Sequence, residues 1–506
     1  MNQGIPTKQP AGKRAKLVDA LRAPLLAKER NPASIAAAID SIPPRFAQDA
    51  EVLFLKGMLF EAINRQDPAL AAARAAHAKH PHPEALKLMA RCLRRKGETD
   101  EAIRCAEQAE AGRPADTHSV VFKAGALEEA GRFDEATALL EPLIERAEKD
   151  SAPMHLGLRH EWAKLLVQNK RYAEALRYID GIVGDEATPP PVHSIHLHLR
   201  AKACDRMKDY AGAIEAARKA NEIGKVEFDP ELYTEQVTAL IDNWSRDSMA
   251  SFPQSTCDSE VPVFVAGMPR SGTSLIDQII DAHPKATGVG ELNSIERFAV
   301  ELSHAYNPDK PVNKRFGKFD SFRWTRAAKA YIKEITELAP EGAERIVNKA
   351  LGNNKLVGLF ARLFPNTRVI HAIRDPRDVA VSCYMGGFNN KMHAWTTQID
   401  WVAHAWNQSM RMMDHWKQAL DIPILDVHYE RLVADPENEM PRIIEFLGLE
   451  WDDACRDFYK SKRTVRTLSY DQVNRPLYTS SSGRHKNFAP LLEGVEFPGY
   501  DPFAAR

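Results

Sequence analysis

Two patterns of hydrophobic and polar positions divide the chain. Between residues 45 and 246, apolar side chains recur at helical spacing among alanines and charged residues, with short polar turns between them. Beyond Val261, short apolar runs alternate with amphipathic stretches. The strand-like runs lie at 261–266, 368–375 and 423–430, and the helical stretches at 353–365 and 441–449. The sequence therefore predicts a helical half followed by an α/β half.

The helical half is internally repeated. Segments that begin at Glu84 and His118 align Gly97 with Gly131, a shift of 34 residues (131 − 97). This is the period of the tetratricopeptide repeat, in which helix pairs stack because each pair leaves an apolar face for the next to cover. About five copies can be counted. The pattern predicts a helical-repeat solenoid with a groove.

Three parts follow from these patterns. Residues 1–44 form an irregular N-terminal segment or cap, residues 45–246 the repeats, and residues 261–506 the α/β domain, with a polar, proline-interrupted junction at 243–260. The groove of the repeats suits a peptide or a protein partner. A scaffold or dimerisation arm without a ligand is weighed equally, because no groove-lining residue is identified.

Alternating strands and helices predict a three-layer, P-loop-like α/β domain with a mainly parallel sheet, whose ligands bind at the carboxyl ends of the strands. The apolar run 261–266 ends in a loop between Gly267 and Gly272, before a helix. The loop residues expected to bind a phosphate-like group are Pro269, Arg270, Ser271, Gly272, Thr273 and Ser274. Thr273 stands where the Walker A motif has lysine, which argues against ATP hydrolysis, and Arg270 supplies a charge instead.

Composition narrows the function classes. The chain has 68 basic and 69 acidic residues and a formal charge of −1, so we expect no nucleic-acid or membrane partner. Its six cysteines contain no C-x-x-C pair, and no run of 18 apolar residues occurs, which indicates a cytoplasmic protein. The sequence also contains no cluster of metal-ligand residues, so we expect no metal.

A second segment, RVIHAIRDPRDVAVSCY, places Arg374 at a strand end and Ser382 on the following helix. An arginine fork and a hydroxyl group can hold a second phosphate together. The alternative is that Arg374 pairs with Asp375 or Asp378, and the loop at 267–274 on the same predicted face favours the phosphate interpretation.

At this point the residues carry a family resemblance. PRSGTSL at 269–275 and IRDPRDVAVS at 373–382 resemble the two donor-binding segments of sulfotransferases, which use 3′-phosphoadenosine 5′-phosphosulfate. Among sulfotransferases, the tyrosylprotein enzymes resemble this sequence more than the cytosolic and heparan-type enzymes do, over much of 261–490. The resemblance implies that 3′,5′-adenosine bisphosphate is the released product. The combination of tetratricopeptide repeats with such a domain resembles a bacterial class of sulfotransferases.

The resemblance also implies roles for single residues. It makes Glu291 the general base, Lys349 and Arg270 the cations that meet negative charge, and Ser469 a hydrogen-bond donor to the transition state. Tyr429 and Arg484 correspond to further donor contacts. Without the resemblance, Glu291 would be interpreted as a helix-start residue and Lys349 as a solvated lysine. Cytosolic sulfotransferases use a histidine as the base, so the alternatives are His283, His371 and His485. Of these, His371 is expected to pack in the sheet and His283 to end a helix.

The sequence departs from the tyrosylprotein pattern in one place that matters for the donor. Gly386 and Gly387 stand where those enzymes have a further arginine near the 3′-phosphate. We therefore expect the 3′-phosphate to depend on Arg374, Ser382 and Arg484.

The leading hypothesis is a sulfotransferase whose acceptor is a hydroxyl group of a peptide tyrosine or a small molecule. The repeats would act as its protein-interaction arm. A P-loop nucleotide kinase or hydrolase, and a non-enzymatic repeat scaffold with a decayed domain, are the alternatives. The acceptor itself is not predicted, because it depends on loops such as 300–325 and 386–400.

Overall fold

The computed structural model describes residues 12–27, 31–110, 117–150, 154–296, 319–388, 393–460, 477 and 481–503. The chain separates into two compact units, Met1–Ile182 and Val183–Arg506. The predicted domain limits at 44, 246 and 261 are a different division, and they remain predictions.

The first unit is built of antiparallel helix pairs. Its helices are α1 Gly12–Leu26, α2 Pro32–Asp40, α3 Ala50–Ala62, α4 Gln66–Lys79, α5 Pro83–Lys96, α6 Thr99–Ala109, α7 Thr117–Glu129, α8 Phe133–Lys149, α9 Leu156–Gln168 and α10 Tyr172–Val183. Asp49 begins α3 by accepting hydrogen bonds from the amides of Glu51 and Val52. Small buried residues such as Ala69 and Ala73 let paired helices approach closely. The predicted helical-repeat fold is confirmed.

The turn within each of five helix pairs contains one residue in the left-handed conformation. These residues are Asn64, Gly97, Gly131, Lys170 and Lys208, with φ between 59° and 88°. The last of them joins α11 Pro190–Arg206 to α12 Tyr210–Ile223, a pair that belongs to the second unit. The same turn geometry in five pairs agrees with the repeat count from sequence.

The second unit contains a five-stranded parallel sheet of order β2-β3-β1-β4-β5. Its strands are β1 Pro262–Gly267, β2 Ala286–Gly290, β3 Arg345–Asn348, β4 Arg368–Ile373 and β5 Ile424–His428. The further helices of this unit are α13 Pro230–Asn243, α14 Arg246–Ala250, α15 Thr273–Asp281, α16 Ser321–Leu338, α17 Val357–Leu363, α18 Pro376–Tyr384, α19 Ile399–Ala419, α20 Tyr429–Ala434, α21 Pro436–Phe446 and α22 Ala489–Leu492.

The central strand β1 is buried along its whole length because helices cover both faces of the sheet. Phe264 and Ala266 pack on one face with Phe360 and Trp416, and Phe264 stacks on Phe360 with ring centroids 3.7 Å apart. Val263 and Val265 pack on the opposite face with residues of α15 and α21. This alternation confirms the predicted three-layer α/β fold with a parallel sheet.

Among the described residues, none of the helices has both the length and the apolar character needed to cross a membrane.

Candidate active site

The loop between β1 and α15 has the geometry of an anion cradle. Gly272, with φ of 101°, immediately precedes α15, whose first residues Thr273 and Ser274 are buried. Arg270 also has a left-handed backbone, with φ of 69°, and the Ser271 hydroxyl donates to the Met268 carbonyl at 2.7 Å. The loop thus directs the N-terminus of a nine-residue helix toward the carboxyl edge of the sheet.

Gly272 is required by a close neighbour as well as by its backbone conformation. A Cβ atom at this position would lie 2.8 Å from Cδ2 of Tyr429, which is the first residue of α20 and follows β5. The Arg374 guanidinium lies 4.4 Å from the centroid of the same Tyr429 ring. The ends of β1, β4 and β5 therefore meet at this ring.

Arg270 and Ser382 are in direct contact, since Nε of Arg270 donates to the Ser382 hydroxyl at 2.7 Å. Arg374 Nη1 donates to the Arg270 carbonyl at 3.1 Å, which fixes the loop to the end of β4. Behind them, the Cys383 thiol contacts the Pro269 carbonyl at 3.6 Å, and burial raises the pKa of this thiol to about 12. The structure thus brings both predicted phosphate-binding segments together.

Of the two carboxylates considered as partners of Arg374, Asp378 lies near its guanidinium and Asp375 binds another arginine. Asp375 pairs with Arg377 at 2.6 Å, and Asp378 lies 3.5 Å from Arg374. Burial would raise the pKa of Asp375, but the hydrogen bonds from Arg377 outweigh it and hold the pKa below its usual value. Arg374 is buried, and its Nε has no hydrogen-bond partner within the part of the chain that the structure describes.

Glu291 and Lys349, which lie 58 positions apart in sequence, form an ion pair of 2.7 Å. The Lys349 side chain is 3% exposed and that of Glu291 is 34% exposed, so the carboxylate is the solvent-accessible member of the pair. The Lys349 amide donates to the Gly290 carbonyl at 2.8 Å, because β2 and β3 are neighbours. Next to it, the Asn348 side chain donates to the Leu292 carbonyl at 2.7 Å and holds the chain that follows Glu291.

Comparisons with known proteins identify families that match both halves of the chain. A model described as "Sulfotransferase family" matches residues 262–453, and two tetratricopeptide-repeat models match 93–158 and 160–225. "Protein-tyrosine sulfotransferase 2" of Gallus gallus is 31% identical over 276 residues, covering 48% of this chain and 71% of that protein. This chain belongs to the sulfotransferase family.

Two further proteins are similar to this chain over different shares of their length. A protein of Aquifex aeolicus (strain VF5), described as "Uncharacterized protein", is 30% identical over 330 residues, which cover 64% of this chain and 43% of that protein. The chain thus spans less than half of the Aquifex relative. The solved "Sulfotransferase Domain from the Synechococcus PCC 7002 Olefin Synthase" is 16% identical with a TM-score of 0.34, covering 49% of this chain and 94% of that structure.

One predicted site residue lies outside the described part of the chain, and another has a partner away from Arg270. Ser469 lies outside the described residues, so its role stays a prediction. Arg484 is described, and its Nη2 pairs with Asp205 of α11 at 2.8 Å. The loop that carries Arg484 still contacts the site, because Arg374 Nη2 donates to the Ser481 carbonyl.

The three histidines considered as alternative bases all have structural partners. His371 lies buried in the sheet as expected, with Nδ1 at 2.9 Å from Asp426, and burial lowers its pKa. His283 contacts the Glu450 carbonyl at 2.9 Å. Nδ1 of His485 lies 3.0 Å from the Asp378 carboxylate.

Sequence reasoning missed the residues that hold the Arg374 strand end in place. Glu430 accepts from the Asp375 amide at 2.9 Å and from the Tyr500 hydroxyl at 2.7 Å, and burial raises its pKa. The Trp406 indole donates to the Arg374 carbonyl at 3.1 Å. These contacts join positions up to 70 residues apart, and no local motif identifies them.

Gly387, one of the two glycines at the place where the resemblance implies an arginine, has a close neighbour. Gly387 has φ of 62°, and a Cβ there would lie 3.1 Å from the His198 ring of α11. The last repeat therefore occupies the space that a side chain at 387 would need.

Proposed function

We propose that this sulfotransferase moves a sulfuryl group from 3′-phosphoadenosine 5′-phosphosulfate to an acceptor hydroxyl group. The observation that carries the proposal is the convergence of Arg270, Ser382, Arg374 and Tyr429 on the helix N-terminus at the end of β1. Two anion-binding segments at one sheet edge suit a ligand with an anionic group at each end.

In this proposal the amides of 272–274 and the Arg270 guanidinium hold the 5′-phosphosulfate, because a helix N-terminus and a guanidinium both favour negative charge. The 3′-phosphate is held by Arg374, Ser382 and Arg484. Among the described residues, Nε of the buried Arg374 has no hydrogen-bond partner, which supports this assignment because an unpaired polar atom in a buried guanidinium is costly without a ligand. Tyr429 lies against the Arg374 guanidinium and restricts its rotation.

The transfer step follows from the Glu291–Lys349 pair. The acceptor oxygen forms a new bond to sulfur, the sulfur–oxygen bond to the 5′-phosphate breaks, and the acceptor proton passes to the Glu291 carboxylate. Negative charge that builds on the leaving phosphate oxygen is stabilised by Lys349 and Arg270. Ser469 would donate a hydrogen bond to the same charge. Positioning and charge stabilisation account for catalysis, as in phosphoryl transfer.

The repeats are proposed as the arm that binds a peptide or protein, and the relatives described as protein-tyrosine sulfotransferases make a peptide tyrosine the first acceptor to test. A small-molecule hydroxyl is the second. The two acceptor classes differ in size, so separating labelled protein from labelled small molecules after a reaction distinguishes them.

The donor assignment is tested by thermal unfolding of the full chain. A saturating ligand stabilises the native state by about 2.7 kcal/mol at 100 times its Kd, so 3′,5′-adenosine bisphosphate should raise Tm. Arg374→Ala should abolish the rise. The matched control is Arg246→Ala, because Arg246 forms an exposed ion pair with Asp421 in the same unit. A rise with ATP and Mg²⁺ but none with the bisphosphate would instead support a nucleotide kinase or hydrolase.

A further inference from the structure

The last helix pair, α11 and α12, packs against α18 inside the second unit. Ala201, Ala216 and Ala217 of the pair share a hydrophobic core with Val379 and Ala380 of α18. The Asn221 side chain also donates to the Tyr384 carbonyl at 3.0 Å. A repeat pair thus contacts the helix that carries Ser382.

The loop at 481–488 connects this repeat pair to the anion-binding residues. The amides of Gly483 and His485 both donate to the Asp378 carboxylate, each at 2.8 Å. Arg374 donates to the Ser481 carbonyl in the same loop. Arg484 therefore lies between two neighbours whose backbones are fixed, and the direction in which its side chain leaves the loop is restricted.

The Arg484 side chain is held at its other end by the repeats. Its Nη2 lies 2.8 Å from Asp205 at the end of α11, and its Cζ lies 5.1 Å from the centroid of Phe488. Phe488 is fully buried, and the Tyr210 ring of α12 meets it edge-on at 5.3 Å. Asp205 and Tyr210 come from the same helix pair. The repeats therefore hold Arg484 directly through Asp205 and indirectly through Tyr210, which packs against Phe488.

We propose that Asp205 is a positioning residue for donor binding, acting through Arg484, so that the last repeat is part of the donor site. This inference rests on the proposed function, in which Arg484 contacts the donor. A guanidinium has five N–H donors in a fixed plane, and Asp205 engages Nη2. The remaining donors of an oriented guanidinium can bind a phosphate without first losing rotamer freedom.

The ion pair has a second interpretation, with the opposite consequence. Asp205 could compete with a phosphate for Arg484, and the donor would then have to break the pair before it binds. Removing the carboxylate would tighten donor binding in that case and weaken it if Asp205 orients Arg484. The contact of the Arg484 guanidinium with the Phe488 ring favours the interpretation in which Asp205 orients Arg484, because the ring holds the guanidinium independently of Asp205.

The test is titration calorimetry of 3′,5′-adenosine bisphosphate into the full chain. Asp205→Ala should raise Kd by about 2- to 10-fold, the range expected for losing the orientation of one long side chain. Asp205→Glu should recover part of the loss and Asp205→Asn less, because only the former keeps the charge. In an Arg484→Ala background, Asp205→Ala should have no further effect. Glu215→Ala is the control, because Glu215 forms an exposed ion pair with Arg218 on α12.

Each other outcome contradicts the inference. An unchanged or lower Kd for Asp205→Ala would overturn positioning, and a loss that persists in the Arg484→Ala background would show that Asp205 supports the fold rather than the arginine. Failure of the wild-type chain to bind the bisphosphate would refute the proposed donor and, with it, this role of Asp205. Wild-type binding with an inert Asp205→Ala would refute the positioning role alone.

Discussion

Gly272→Ala tests the geometry of the anion cradle most sharply. The residue has φ of 101°, and the added Cβ would lie 2.8 Å from Cδ2 of Tyr429. Ordinary van der Waals contact begins near 3.4 Å, so the Tyr429 ring must move by at least 0.6 Å (3.4 − 2.8) or the loop must move instead. Either movement disturbs the Arg374 guanidinium, which lies 4.4 Å from that ring.

Two costs add up in this variant. A non-glycine residue in a left-handed conformation costs roughly 1–2 kcal/mol. Displacing Tyr429 from its rotamer and weakening its cation–π contact with Arg374 costs about a further 1–2 kcal/mol. The free energy of unfolding should therefore fall by roughly 2–4 kcal/mol, and the Kd for 3′,5′-adenosine bisphosphate should rise by at least about 10-fold.

The matched control is Gly342→Ala, in the same unit. Gly342 has φ of 86°, and its added Cβ would meet no atom within 4 Å, so that variant carries the backbone cost alone. Urea unfolding of both variants, with calorimetry of the bisphosphate, separates the two costs. If Gly272→Ala loses no more stability than Gly342→Ala and binds the bisphosphate normally, the account of the cradle is wrong.

Three further predictions concern single side chains. Glu291→Gln keeps the shape of the side chain but cannot accept the proton. Donor turnover with acceptor extract should therefore fall by about 100-fold or more, while the Kd of the bisphosphate changes less than about 2-fold. Undiminished turnover would exclude Glu291 as the base. Burial lowers the pKa of His198 to about 4 from 6.5, so the unfolded state binds the extra proton between these pH values and stability falls as pH falls through the window. Urea unfolding should lose up to about 3 kcal/mol there, and His198→Gln should remove most of this loss; an equal loss in the variant would contradict the assignment. Burial raises the pKa of Cys383 to about 12, so iodoacetamide at pH 8 should modify this thiol only after unfolding. Mass spectrometry detects the modification, and a modified native protein would show that the thiol is accessible.

The sequence predicts best those features that repeat or lie at strand ends. The period of 34 residues locates the helix pairs, and the apolar runs locate β1, β4 and β5. The two motifs around Arg270 and Arg374 occupy neighbouring parallel strands, so their meeting follows from topology once both are recognised. Family resemblance, rather than any local pattern, indicated that Glu291 belongs with Lys349.

What the sequence does not predict is which distant side chains support the site. Asp378 fixes the backbone on both sides of Arg484 over a separation of more than 100 positions, and Asp205 holds its side chain from a repeat helix. Such contacts depend on how packed elements meet, and neither period nor motif encodes them. Gly387 illustrates the same limit, because the His198 ring that restricts a side chain there comes from a distant helix.

The most direct test of the central claim is transfer of radiolabelled sulfate. The full chain would be incubated with labelled 3′-phosphoadenosine 5′-phosphosulfate and an extract of acceptors, and protein would then be separated from small molecules. The account predicts a labelled acceptor together with 3′,5′-adenosine bisphosphate, and loss of both in Arg374→Ala and Glu291→Gln. A chain that binds the bisphosphate but labels no acceptor, or that releases phosphate from ATP instead, would contradict it.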